Sequence, residues 1–114
     1  MKKNLHLKVN GSLWIECGSK KYFGPGPMEL LERIESTGSI SKAAKQMGMS
    51  YKKSWDIINR LNKKVVEPLV ETRTGGKKGG GSFISTEAKQ LIVQYKDLRK
   101  NFELFLEKQT KLLL

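Results

Sequence analysis

Apolar positions recur along this chain with two different periods, and the places where the period changes mark its elements. Leu5, Leu7 and Val9 alternate with polar neighbours, as do Leu13, Ile15 and Cys17. Period two is that of a half-buried strand, so a β-ribbon over residues 5–23 is expected to open the chain. Asn10-Gly11 suits either a two-residue hairpin or a bulge in one long strand, and Gly18-Ser19 offers another turn before Tyr22-Phe23. Two strands or three remain open.

Gly24-Pro25-Gly26-Pro27 stops the ribbon, and helical spacing follows. Pro27 suits a first helical position, Met28, Leu31 and Ile34 form a stripe with Leu30 beside them, and Glu29 and Glu32 would place negative charge near the positive end of the helix dipole. This predicts a helix over 27–37, ended by Thr37-Gly38. Ser39 can cap a second helix over 39–47 with Ile40, Ala43, Ala44 and Met47 on one side, closed by Gly48. Ser50 can cap a third, over 50–64. There Tyr51, Ser54, Trp55, Ile58, Leu61 and Val65 share one face, while Lys52, Lys53, Asp56, Asn59, Arg60 and Lys63 share the other.

Pro68 closes the helical region. Leu69–Thr74 and Ser82–Ser85 have strand character on either side of Gly75-Gly76-Lys77-Lys78-Gly79-Gly80-Gly81. Glycine tracts commonly serve as linkers, but flanking strands make this one a hairpin, or wing, over 69–85. In the last stretch, 86–111, Leu91, Tyr95, Leu98, Phe102, Phe105 and then Leu112 follow alternating steps of four and three, with Gln109 the polar interruption. That seam resembles a coiled coil. The expected fold is α+β: one winged helix-turn-helix domain spanning 1–114, with an N-terminal β-ribbon and a long C-terminal dimerisation helix.

Charge narrows the partners. Twenty-two Lys and Arg against 11 Asp and Glu give a net charge of +11, which favours a polyanion unless it only solvates the surface. The single Cys17 and single His6 remove intramolecular disulfides, thiolate zinc clusters and paired imidazoles. No catalytic or metal-binding residues and no cofactor are expected. Met1–Asn10 alternates apolar and basic residues, unlike a signal peptide or a membrane span, so a cytoplasmic location without membrane contact is expected. The glycine run lacks the final Gly-Lys-Ser/Thr of a nucleotide-binding P-loop.

The candidate contacts to double-stranded DNA are Ser39, Lys42, Ser50, Tyr51, Lys52, Lys53, Asp56, Asn59, Arg60, Lys63, Arg73, Lys77 and Lys78. Lys52, Lys53 and Arg60 suit phosphates or guanine edges, and Asn59 suits adenine. Asp56 suits either cytosine N4 or an ion pair with Lys52 or Arg60 one turn away. Tyr51 and Trp55 suit either sugar and bases or the core. Lys77 and Lys78 would bring charge to a wing whose glycines allow close approach to a backbone. Leu91, Tyr95, Leu98, Phe102 and Phe105 are the candidate dimer contacts.

The runs Thr37-Gly38-Ser39-Ile40-Ser41, Ala43-Ala44-Lys45 and Gly48-Met49-Ser50-Tyr51-Lys52, then Trp55-Asp56, Asn59, Asn62, Leu69-Val70-Glu71 and Thr74-Gly75-Gly76-Lys77 with Gly79–Gly81, together resemble the N-terminal DNA-binding domain of the molybdate-responsive regulator (ModE) family. The resemblance covers roughly residues 12 to 100. It implies a winged helix related to the LysR-type regulators, with the helix after Ser50 reading DNA, the glycine hairpin as wing and the final helix as dimer contact. Members that sense molybdate carry further C-terminal oxyanion-binding domains, which this sequence does not include, so molybdate binding is not expected. A sequence-specific regulator, a non-specific basic nucleic-acid-binding protein and a dimerising interaction module are the competing functions.

Overall fold

The computed structural model describes residues 6–74 and 81–113; Leu5, the glycine tip 75–80 and with it Lys77 and Lys78 lie outside the described residues. The elements are β1 (Ile15–Cys17), β2 (Lys20–Phe23), α1 (Pro25–Thr37), α2 (Ile40–Gln46), α3 (Tyr51–Asn62), β3 (Val70–Arg73), β4 (Gly81–Ile84) and α4 (Thr86–Lys111). The strands pair as two separate antiparallel hairpins, β1 with β2 and β3 with β4. The arrangement is α+β and winged-helix-like.

The N-terminal ribbon is shorter than its alternation suggested. Gly18 and Ser19 both have positive φ, 58° and 68°, and join Cys17 to its partner Lys20, as a tight type I′ connection requires. Asn10-Gly11 is not a hairpin turn, and residues 6–14 form no strand. They run as an extended strap along α4. The Val9 N–H donates to Thr110 Oγ1 at 2.9 Å, and the Tyr95 hydroxyl donates to the Leu13 carbonyl at 2.7 Å. A Cβ placed on Gly11 would meet Phe102 Cζ at 3.0 Å, so glycine lets the strap lie against that ring. Within the strap Val9 and Leu13 are half-buried against a helix instead of a neighbouring strand, while Leu7 stays 47% exposed.

Helix α1 starts at Pro25, with Gly24 as N-cap, two residues ahead of the expected Pro27. Its first turn therefore holds no acidic residue. Glu29 and Glu32 instead pair with Arg33 and Lys96, each at 2.7 Å. Gly38, at φ 68°, ends the helix in the left-handed conformation that favours glycine.

Leu30, Leu31 and Ile34 of α1 meet Ile40 and Ala43 of α2, Ile58 and Leu61 of α3, Leu69, Val70, and Ala88, Ile92 and Tyr95 of α4 in one core. Phe23 stands edge-on to Tyr95, ring centroids 5.5 Å apart. This corrects the expected role of Tyr95: it is fully buried within its own chain and is not a surface contact for a second copy. A 4-3 repeat does not distinguish a helix that meets a partner from one that meets its own body.

Candidate nucleic-acid interface

Three elements converge on α3. Ser39 caps α2 by accepting from the Lys42 N–H at 3.1 Å, and the buried Ala43 and Ala44 leave room for the neighbouring helices. Gly48, at φ 65°, turns the chain. Ser50 then caps α3, accepting from the Lys53 N–H at 3.0 Å. Both serine oxygens thus serve the helix ends, leaving their hydroxyl protons free to donate outward.

Helix α3 buries Ser54, Ile58 and Leu61. The Ser54 hydroxyl is satisfied by the Tyr51 carbonyl at 2.6 Å. Lys52, Lys53, Asp56, Asn59, Arg60 and Lys63 are exposed on the other side. Lys52 Nζ lies 3.1 Å from Asp56 Oδ2, the intrahelical pair that the one-turn spacing permits. Tyr51 is 55% exposed and lies edge-on to the half-buried Trp55, so it belongs to the surface and not to the core face on which its spacing placed it. A first-turn residue can project past the body of the domain.

Arg60 has a different use from the one expected. Its guanidinium donates to the carbonyls of Lys21 and Tyr22 at 3.1 and 2.8 Å, and the Tyr22 hydroxyl donates to the Leu61 carbonyl at 2.7 Å. Together they clamp the β1–β2 hairpin to α3. Burial is the main force holding the Tyr22 phenol above its ordinary pKa, Cys17 adds to it, and Arg60 opposes both. Burial likewise raises Tyr95, against Arg99.

Asn62 makes the matching joint to the second hairpin. Its Oδ1 accepts from the Leu69 and Val70 N–H groups and its Nδ2 donates to the Val70 carbonyl. Sequence reasoning quoted Asn62 without giving it this task; an asparagine in the last helical turn just before a connection was the available signal. At the other end, the Ser82 N–H donates to the Gly38 carbonyl at 2.9 Å. Arg73 projects from β3 with its guanidinium 4.6 Å from the centroid of the Phe83 ring, and Lys42 is exposed on α2.

Charge is partitioned across the domain. Four of the five ion pairs among the described residues, Arg33–Glu29, Lys89–Glu35, Lys96–Glu32 and Arg99–Glu103, lie on α1 and α4. On the α3 side, among the described residues, only Lys52 has a carboxylate partner. Among the described residues no group of three or more His, Cys, Asp or Glu is placed to hold a metal ion, and no described helix is long and apolar enough to cross a membrane.

Two helices joined at a glycine turn, the second presenting a basic polar face beside a β-hairpin, define a winged helix-turn-helix domain. Residues 27–88, more than half of the chain, match the model of the bacterial regulatory helix-turn-helix proteins of the lysR family. The chain belongs to that family. It is also 38% identical over 91 residues to the transcriptional regulator ModE of Haemophilus influenzae, covering 80% of this chain and 36% of that protein. Identity to the DNA-binding transcriptional dual regulator ModE of Escherichia coli K12 is 41% over 83 residues, 73% of this chain and 32% of the relative. The chain thus spans about a third of the length of these curated relatives.

Proposed function

We propose that this chain is the sequence-reading part of a transcription regulator that acts in the cytoplasm as a homodimer, with α3 in the major groove of duplex DNA and the β3–β4 wing against the backbone. The observation that carries the reading is the outward face of α3, where Lys53 and Asn59 stand exposed along a helix capped by Ser50 and seated on Ile58 and Leu61. In this role Asn59 and Lys53 reach base edges, while Lys42, Lys52, Lys63, Arg73 and the wing lysines Lys77 and Lys78 reach phosphates. Ser39, Ser50 and Tyr51 contact the backbone from the helix ends. Asp56 orients Lys52, and Arg60 acts as a positioning residue through its carbonyl clamp.

The apolar seam along α4 supports dimerisation. Leu98 and Phe105 are 45% and 54% exposed, Leu91 and Phe102 are half-buried, and a second copy would remove this apolar seam from water. A dimer would read two half-sites about 34 Å apart, one helical turn.

Binding does not depend on molybdate in this reading. The groove between the strap and α4 is lined by Glu103 and Glu107 alongside Lys8, Arg99 and Lys111, a mixed set of charges and not the converging donors that selective capture of an oxyanion needs. The test is selection of duplexes from a random pool, then competition. A preferred duplex should survive an excess of random DNA, with the same affinity whether or not molybdate is present; equal affinity for all duplexes contradicts sequence reading.

A further inference from the structure

The β1–β2 hairpin has no direct DNA role in the proposed function, yet three side-chain hydrogen bonds tie it to α3. Arg60 holds two successive β2 carbonyls, and Tyr22 returns a hydrogen bond to the end of α3. Arg60 also lies between two shallow depressions of the surface. One is lined by Ser50, Lys52, Lys53, Asp56 and Ile57 on the outward face of α3. The other is lined by Trp14, Lys21, Tyr22 and Phe23 of the hairpin region. The hairpin therefore borders the face that carries Lys53 and Asn59.

The charges there are placed and uncompensated. Lys21 Nζ sits 4.1 Å from the centroid of the Trp14 ring; this contact holds the ammonium near the surface without neutralising it. Lys20 follows the turn directly and is exposed, as are Lys63 and Lys64 just past α3. Glu16 faces Lys21 across the hairpin, but its carboxylate accepts from the Trp14 indole N–H at 3.2 Å. None of Lys20, Lys21, Lys63 or Lys64 has a carboxylate within ion-pair distance among the described residues, whereas the cations of α1 and α4 named above do.

We propose that the β1–β2 hairpin is a second phosphate-contact element, which grips the duplex backbone beside the C-terminal end of α3 through Lys20 and Lys21. The proposal rests on the assignment of α3 to the major groove. It adds that the contacted DNA extends past the bases α3 reads, and that these added contacts are electrostatic and indifferent to sequence. Arg60 is the strut that fixes the spacing between the two contact elements.

The experiment measures binding of the full chain to a duplex selected from a random pool, to the same duplex with its flanks trimmed, and to a random duplex, each across a salt series. Lys20→Gln/Lys21→Gln should lower the steepness of the log–log salt dependence by about 1.8 per bound chain, at about 0.9 per phosphate contact. It should retain the preference for the selected over the random duplex, and it should lose the sensitivity to flank trimming that the parent shows. Lys20→Arg/Lys21→Arg should behave like the parent, and matching circular dichroism should show that both variants are folded. An unchanged salt slope in the Gln variant overturns the hairpin assignment even if the parent reads sequence, and so does loss of sequence preference in that variant. A parent chain without sequence preference overturns the α3 reading instead, and a chain that binds no duplex overturns both.

Discussion

Helices α3 and α4 are both half-buried, but what each leaves exposed differs in kind. Along α3 the division runs lengthwise: Ser54, Ile58 and Leu61 are inside and a charged strip is outside. Along α4 it runs crosswise as well. Ala88, Ile92 and Tyr95 in the first half enter the core, while the half beyond Leu98 meets the thin strap of residues 6–13 and keeps Leu104 and Phe105 in water. Exposed charge is at ease in solvent and is informative only when it lacks partners. Exposed large apolar groups at coiled-coil spacing are costly where they are, so the two surfaces suit different partners: a polyanion for α3, a second apolar seam for α4.

The largest expected effects come from removing what the two helices share. Ile58→Ala should cost about 2 to 5 kcal/mol and Tyr95→Ala about 3 to 5 kcal/mol, since each leaves a cavity in a fully buried site; chemical denaturation measures both. Next, Leu98→Lys with Phe105→Lys should leave the fold intact and weaken self-association by 2 kcal/mol or more, seen as a shift toward the chain mass of 12.9 kDa in sedimentation. Unfolding of that variant at the parent's dimer concentration, or no change in mass, would erase the contrast between the two halves of α4. On the other helix, Asn59→Ala should cost about 1 to 3 kcal/mol on a selected duplex and far less on random DNA.

A smaller effect sharpens the link between α3 and the β1–β2 hairpin. Tyr22→Phe should cost about 1 kcal/mol by leaving the Leu61 carbonyl without its donor. Its pH dependence carries a sign. Burial holds the Tyr22 and Tyr95 phenols above the ordinary value of 10.0, so the unfolded chain ionises first. Their stabilisation is complete below about pH 10 and drains away as pH rises through the raised values. Replacing both tyrosines by phenylalanine should flatten the alkaline loss of stability measured by thermal melts.

Much of this was legible because it is local. Ser39 and Ser50 each announce a helix start and each accepts from the N–H three residues on; Ser85 caps α4 in the same way, although the sequence places it at the end of a strand. Gly38 and Gly48 mark the stops, and the two faces of α3 follow from its spacing. What was not legible is long-range. Nothing near Val9 and Leu13 indicates that their cover is α4, and nothing near Arg60 indicates that its guanidinium belongs to β2 carbonyls 38 and 39 residues away. Tyr95 fits a seam and a core equally well until Phe23 and Leu13 are brought beside it.

A dimer on DNA would use both surfaces at once, and the stoichiometry on a selected duplex tests the proposed function most directly. Sedimentation of the complex should show two chains per duplex, with half-sites about 10 base pairs apart and binding that collapses when either half-site is scrambled. One chain bound to an isolated half-site with undiminished affinity would contradict it.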